Sequence, residues 1–295
     1  MRAGQLRLAV RDRLRLSDVP SPDADAAAIA SHVLGVRQAE LVLAPDPDQD
    51  QIDRALDIAE RRAMRIPLQH LLGQAAFRTI ELAVGPGVFV PRPETEVLVG
   101  EVLAWLKQEA RGGAPGAPVV VDLCSGSGAI ALAVAAEFPA ARVFAVEREG
   151  DAFDWLRRNC AATGAVVPIH ADATAGGAPG DPRAGLVGRV AVVTCNPPYI
   201  PDACTPRDPE VAAHDPAAAL YGGPDGLDVV RGILGPAAAL LRRGGLLAIE
   251  HGDAQGEQAG PLGVPASVRS TGAFESVRDI EDLTGRPRVT LAARR

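Results

Sequence analysis

Apolar and polar positions follow two different rhythms along the chain. Up to about residue 72 the pattern is helical. Ser21-Pro22 reads as a cap followed by proline at the first helical position, and the Ala-rich segment behind it runs to Gly35. Asp48 to Met64 predicts a second helix, with Ile52, Leu56, Ala59 and Ala63 on one face and charge on the other. The rhythm then shortens. Phe77 and Ile80-Glu81-Leu82-Ala83-Val84 alternate, and Gly85-Pro86-Gly87 is a turn, so this stretch predicts a β-hairpin. Phe89 to Glu96 is a stiff, proline-rich entry to a helix carrying Val97, Leu98, Val102, Trp105 and Leu106. Glu94 and Glu96 suit that helix's positive end. A linker is expected over 111–116.

From 118 onward strands and helices alternate. Strands are predicted at Val119–Leu123, Arg142–Glu147, Val166–His170, Val190–Cys195 and Leu246–Glu250, with helices at Ala129–Phe138, Ala152–Ala162 and Asp225–Leu241. A Gly/Pro-rich loop is expected over about 173–188, a kink at Pro236, and late β segments near Phe274–Ile280 and Arg288–Ala292. This alternation predicts an α/β fold, a parallel sheet with helices on both faces. The expected organisation is a helical domain over 1–72, a hairpin linker over 73–90 and the α/β domain over 91–295. The helical domain reads equally as a solubilising bundle or as a module that docks a macromolecule.

Composition narrows the function classes. The chain has 295 residues and a formal charge of −7, which disfavours non-specific duplex binding. No apolar run reaches membrane-span length, and the Arg-rich start is no secretory signal, so the cytoplasm is expected. Cys124, Cys160, Cys195 and Cys204 form no C-x-x-C pair or zinc spacing and read as reduced thiols, and no metal is expected.

The chemistry gathers at strand ends. Val190–Cys195 leads into Asn196-Pro197-Pro198-Tyr199, where two prolines stop ladder pairing and leave Asn196 at a strand tip. An Asn carbonyl, a rigid peptide carbonyl and an aromatic ring side by side suit a planar NH2 group. Alone, the same residues also read as a strand-ending turn. Upstream, Cys124-Ser125-Gly126-Ser127-Gly128 follows the first strand and opens a helix, so a ligand can approach its backbone closely. Glu147 ends the second strand about 20 residues on, placed to accept both hydroxyls of a ribose. The loop departs from G-x-G-x-x-G, which argues against a nicotinamide dehydrogenase. Asp172, after the third strand, reads either as an acceptor for an adenine amino group or as the cap of a loop turn.

Glycine loop, acidic second-strand tip and Asn-Pro-Pro-Tyr together resemble a class I S-adenosylmethionine-dependent methyltransferase. Leu71-Leu72-Gly73, Phe77 and Pro91-Arg92-Pro93-Glu94-Thr95-Glu96 resemble the entry signature of the HemK/PrmC family. So do Glu210, His214-Asp215-Pro216, the stretch Ala219 to Asp228, and the tail Asp282 to Val289. The resemblance covers residue 67 to the end. It implies a Rossmann-like, seven-stranded, mostly parallel sheet with a small N-terminal helical domain. It also implies the cofactor S-adenosyl-L-methionine and methylation of the glutamine amide nitrogen, N5, in the Gly-Gly-Gln loop of peptide chain release factors. Carried over residue by residue, Asn196, Pro197 and Tyr199 are the expected catalytic residues, and Pro198 joins them in binding substrate. Cys124, Ser125, Gly126, Ser127, Gly128, Glu147, Asp172 and Asn196 are expected around the cofactor. Cys124-Ser125, Ala173 and Glu250-His251-Gly252 depart from the family's usual residues. The competing reading is an amino-group methyltransferase acting on DNA or RNA. The acidic charge opposes it, and neither a nucleic-acid substrate nor a membrane partner is expected.

Overall fold

Four helices open the chain: α1 (Ala3–Arg15), α2 (Pro22–Leu34), α3 (Gln49–Ala63) and α4 (Leu68–Leu72). Leu6, Val10, Leu14, Ile29, Ala55 and Ala59 form their shared core. The computed structural model describes residues 1–113, 116–176 and 180–295. Parts of the linker and of the Gly/Pro-rich loop expected from the sequence, 114–115 and 177–179, lie outside the described residues.

After α4 come β1 (Gln74–Phe77) and β2 (Ile80–Ala83), paired as a two-stranded sheet, then α5 (Thr95–Arg111). The α/β alternation follows as β3 (Val119–Leu123), α6 (Ala129–Glu137), β4 (Arg142–Glu147), α7 (Gly150–Thr163), β5 (Val166–His170) and β6 (Val190–Cys195). Two short helices, α8 (Pro209–His214) and α9 (Ala217–Leu220), precede α10 (Asp228–Leu240). The chain ends with β7 (Leu241–Glu250), α11 (Val264–Ser270), β8 (Phe274–Glu281) and β9 (Pro287–Arg294).

The residues group into two compact units. One is Met1–Gln74 together with Arg207–His214, and the other is Ala75–Pro206 together with Asp215–Arg295. Within the first unit, Glu210 on α8 is tied to two arginines, Arg62 at 2.9 Å and Arg65 at 2.7 Å. Arg62 also binds Asp25 at 2.7 Å and is itself buried. α3 keeps Ile52 and Ala59 of its expected face against the core, and Arg62 joins them there. The stripe buried along it is Ala55, Ala59 and Arg62, with Leu56 and Ala63 only half-buried. A fully paired guanidinium occupies a core position that a hydrophobic pattern assigns to an apolar residue. Ser21 likewise precedes α2 without a side-chain cap, while Pro22 and the left-handed Gly35 bound the helix as expected.

The second unit is built on a seven-stranded sheet in the order β5-β4-β3-β6-β7-β9-β8. The five strands from β5 to β7 are parallel, and β9 runs antiparallel between β7 and β8. Both faces are covered, so strand residues alternate between two cores. Val120, Val192, Leu246 and Ala248 join the core with α5, α6 and α7. Val121, Val193, Leu247 and Ile249 join the one with α10 and α11. This explains why the parallel strands read as unbroken apolar runs. α10 starts at Asp228, three residues later than expected, because Gly226 adopts a left-handed backbone (φ +79°) that no helix contains. The helix continues through Pro236, and β7 starts at Leu241 rather than Leu246, past a register irregularity opposite β6.

Register aligns the strand tips. Leu123 pairs Val146 and Cys195, Cys195 pairs Ile249, and Glu147 pairs His170. The residues that follow, Cys124, Asn196 and Glu250, therefore share one edge of the sheet with Glu147.

Candidate active site

The loop after β3 is a tight turn. Ser125 N–H donates to the Val146 carbonyl at 3.0 Å, and Gly128 N–H to the Ser125 carbonyl at 2.8 Å. Cys124 (φ +55°), Gly126 (φ +55°) and Gly128 (φ +89°) all take the left-handed region. The two glycines serve different ends. A Cβ on Gly128 would stand 2.7 Å from a Leu156 methyl, so glycine there permits close packing of loop on helix. A Cβ on Gly126 meets nothing within 4 Å, which leaves the open cradle a ligand's approach requires.

Glu147 is buried and already engaged. Its Oε2 accepts from Gly126 N–H at 2.8 Å, and its Oε1 from Arg148 and Glu149 N–H at 2.7 and 2.8 Å. A carboxylate offers about four acceptor positions, so one remains, on Oε2. The carboxylate thus shapes the glycine loop as well as facing the edge. Asp172 is divided similarly. Its Oδ1 caps the turn, accepting from Thr174 N–H (2.8 Å) and hydroxyl (2.7 Å), while Oδ2 lies 3.7 Å from Arg148. Burial raises its pKa, but the Thr174 hydrogen bonds and Arg148 outweigh it and hold the carboxyl below its ordinary value.

At the β6 tip, Asn196 is half-buried and Pro197 and Pro198 are buried. Asn196 Nδ2 donates to Thr95 Oγ1 at 3.3 Å. Among the described residues nothing donates to Asn196 Oδ1 or to the Pro197 carbonyl. Behind them the chain folds closely. A Cβ on Gly222 would stand 2.5 Å from the Pro198 carbonyl, and one on Gly226 2.2 Å from the Tyr199 carbonyl. Only glycines allow the stretch Tyr221 to Asp228 to back Asn-Pro-Pro-Tyr, and Gln255 Nε2 holds the Tyr199 carbonyl at 2.9 Å. Burial and the nearby Glu250 raise the Tyr199 phenol's pKa, against the opposing charge of Arg288.

Several residues at this edge were not among the site residues expected from the sequence. Asp122, fully buried on β3, accepts from the Thr194 hydroxyl at 2.7 Å with Oδ1, while Oδ2 has no hydrogen-bond partner among the described residues. Burial pushes its pKa up to about 7. Asn159 on α7 clasps Ala83 through both N–H and carbonyl and donates to the Ser127 carbonyl, all at 2.9 Å. Glu250 is buried at the β7 tip, and Thr95 is buried at the start of α5. The signal for Glu250 was present as a carboxylate closing the apolar run Leu246–Ile249. Among the described residues no group of three or more His, Cys, Asp or Glu could hold a metal ion, and no helix is long and apolar enough to cross a membrane.

A parallel sheet closed by one antiparallel strand next to its edge, with a glycine loop, an acidic tip and Asn-Pro-Pro-Tyr on its carboxyl side, defines a class I methyltransferase. In fold, the chain is like the catalytic domain of hMettl16 solved with a MAT2A 3′UTR hairpin. The TM-score is 0.50 at 16% identity, covering 84% of this chain and 82% of that one. The family model for the PrmC N-terminal domain matches residues 5–73. The chain is 45% identical over 281 residues to the release factor glutamine methyltransferase of Mycolicibacterium smegmatis, covering 95% of this chain and 94% of the relative. Identity to that of Streptomyces coelicolor is 44% over 283 residues, with 95% and 94% covered. The chain belongs to the release factor glutamine methyltransferase family.

Proposed function

We propose that the chain transfers a methyl group from S-adenosylmethionine to N5 of the glutamine in the Gly-Gly-Gln loop of peptide chain release factors, in the cytoplasm. One observation carries this reading: two neighbouring acceptors, Asn196 Oδ1 and the Pro197 carbonyl, have no donor among the described residues, at the sheet edge that holds the glycine loop. The residues present fit the cofactor. Gly126 leaves an open cradle, Glu147 Oε2 keeps an acceptor position for a ribose hydroxyl, and Asp172 Oδ2 for an adenine amino group. The bound cofactor supplies an electrophilic methyl group on a sulfonium sulfur.

The chain's own task is geometric. An amide nitrogen is a poor nucleophile because its lone pair is delocalised over the carbonyl, and the only available lobe stands perpendicular to the amide plane. Asn196 Oδ1 and the Pro197 carbonyl accept the two in-plane hydrogens and so fix that plane, and Tyr199 packs on it. Holding the pair in line supplies several kcal/mol, up to about 7–11 in favourable cases. No strong base is needed beforehand. N-alkylation makes the nitrogen acidic, and the departing proton is already aimed at Asn196 or Pro197.

Residues 1–72 serve, on this reading, to dock the protein substrate. Nucleic acid is not the substrate, in keeping with the acidic charge of −7. Radiolabelled methyl transfer tests the proposal, with release factor, tRNA, rRNA and DNA offered separately. Label on the Gly-Gly-Gln glutamine alone is the expected result. Label on nucleic acid, or none on the release factor, overturns it.

A further inference from the structure

An acceptor site made from an asparagine has an ambiguity that one made from backbone lacks. The Asn196 amide can present either oxygen or NH2 to the edge, and the two orientations have nearly the same shape. Only the oxygen can take a hydrogen from a target amide. Something must therefore choose between them.

The choice falls to Thr95. Asn196 Nδ2 lies 3.3 Å from its hydroxyl oxygen, so Thr95 accepts. A hydroxyl also carries one hydrogen of its own. If that hydrogen pointed at Asn196, the amide would turn and offer NH2 to the edge. Thr95 and Glu250 are both nine-tenths or more buried, and Glu250 Oε2 is a buried acceptor with no donor among the described residues. Register places Glu250 beside Asn196, since Cys195 pairs Ile249. A buried carboxylate lacking a donor beside a hydroxyl with an uncommitted hydrogen is a costly arrangement unless the two meet.

We propose that Thr95 and Glu250 are positioning residues that set which way round the Asn196 amide sits. Glu250 takes the Thr95 hydrogen, Thr95 can then only accept from Asn196 Nδ2, and Asn196 Oδ1 is left facing the target. This rests on the reading of Asn196 Oδ1 as an acceptor for the substrate amide. Glu250 is faced by Glu94 and Thr95 at the start of α5, by Tyr199 after β6, by its neighbour His251 and by Arg288 on β9. Burial pushes its pKa up to about 7, against the pull of Thr95, Arg288 and His251. A protonated Glu250 can also donate to Thr95 Oγ1, so the orientation is secured while the carboxyl is ionised and loosened as pH falls.

The test reads the orientation first without any substrate. The Asn196 side-chain amide protons are observed by NMR in the protein alone, assigned by their disappearance in Asn196→Ala. They should shift with a midpoint near pH 7, the shift should vanish in Glu250→Gln, and Thr95→Val should move the signals at all pH values. With substrate, Thr95→Val should lower kcat by about 10²-fold, the cost of a small misplacement, while cofactor affinity by calorimetry stays within about twofold. Thr95→Ser, which keeps the hydroxyl, should recover most of kcat. Unmoved Asn196 signals in Thr95→Val overturn the proposal, as does equal loss of cofactor affinity and kcat. If Thr95→Val does not fold, Thr95→Ser and Glu250→Gln still decide, through recovery of kcat and loss of the pH-linked shift. If the wild type methylates no release factor, the proposed function fails, while the NMR result still judges the orientation.

Discussion

Asn196→Ala deletes one acceptor and leaves the Pro197 carbonyl. The target amide should still enter but turn out of line, so methyl transfer should fall by about 10²-fold or more, with cofactor affinity little changed in calorimetry. Asn196→Asp keeps the acceptor oxygen, replaces the NH2 with a second oxygen and adds a charge beside the sulfonium. It stabilises the reactant cation more than the charge-dispersed transition state, so cofactor binding should hold or tighten while transfer slows. Asp122 gives a prediction on stability. Burial lifts its carboxyl from 3.8 to about 7 in the folded chain, so folding favours the protonated form. That contribution is whole below the unfolded pKa and is lost as pH rises towards 7. Asp122→Asn can keep the bond from Thr194 and has no charge to bury. Its Tm should exceed the wild type's at pH 8, by about 2–4 °C for each kcal/mol recovered, and the gap should narrow as pH falls and close only below the unfolded carboxyl's value of 3.8. The positions of the loop residues and of Asn196 were legible because local features set them: a turn, a strand tip, two prolines. Thr95 and Glu250 were not, since 155 positions separate them and only sheet register relates the second to Asn196.

Between elements, the brace is Asn159. It joins the hairpin strand β2, the glycine loop and α7 through three hydrogen bonds. Asn159→Ala leaves Ala83 N–H and two carbonyls without their partner, and chemical denaturation should show a loss of about 1–3 kcal/mol. Calorimetry should also show weaker cofactor binding, because the loop carrying Gly126 loses its support. The elements themselves were largely readable from periodicity. Misreadings came where a tertiary partner overrode the local pattern: Arg62, buried because Asp25 and Glu210 satisfy it, and α10, delayed by the left-handed Gly226.

For the whole molecule, the helical start and the sheet-based remainder invite separation. A fragment beginning at Ala75 should bind S-adenosylmethionine but fail to methylate an intact release factor. A folded fragment with wild-type transfer would make the first 72 residues merely structural. The α/β class was foreseeable from alternating periods, and the seven-stranded, mostly parallel sheet from the family resemblance. The allegiance of Arg207–His214 to the first unit was not, because nothing in a short, polar stretch reveals that its glutamate pairs Arg62 and Arg65. That allegiance has a consequence in time. Synthesis proceeds from the N-terminus at about 5–20 residues per second, and 140 residues separate Gln74 from His214. The opening helices leave the ribosome roughly 7–28 s before the segment that completes them. Until then, among the described residues, Asp25 alone is there to neutralise Arg62, and a unit begun early waits for a segment made late.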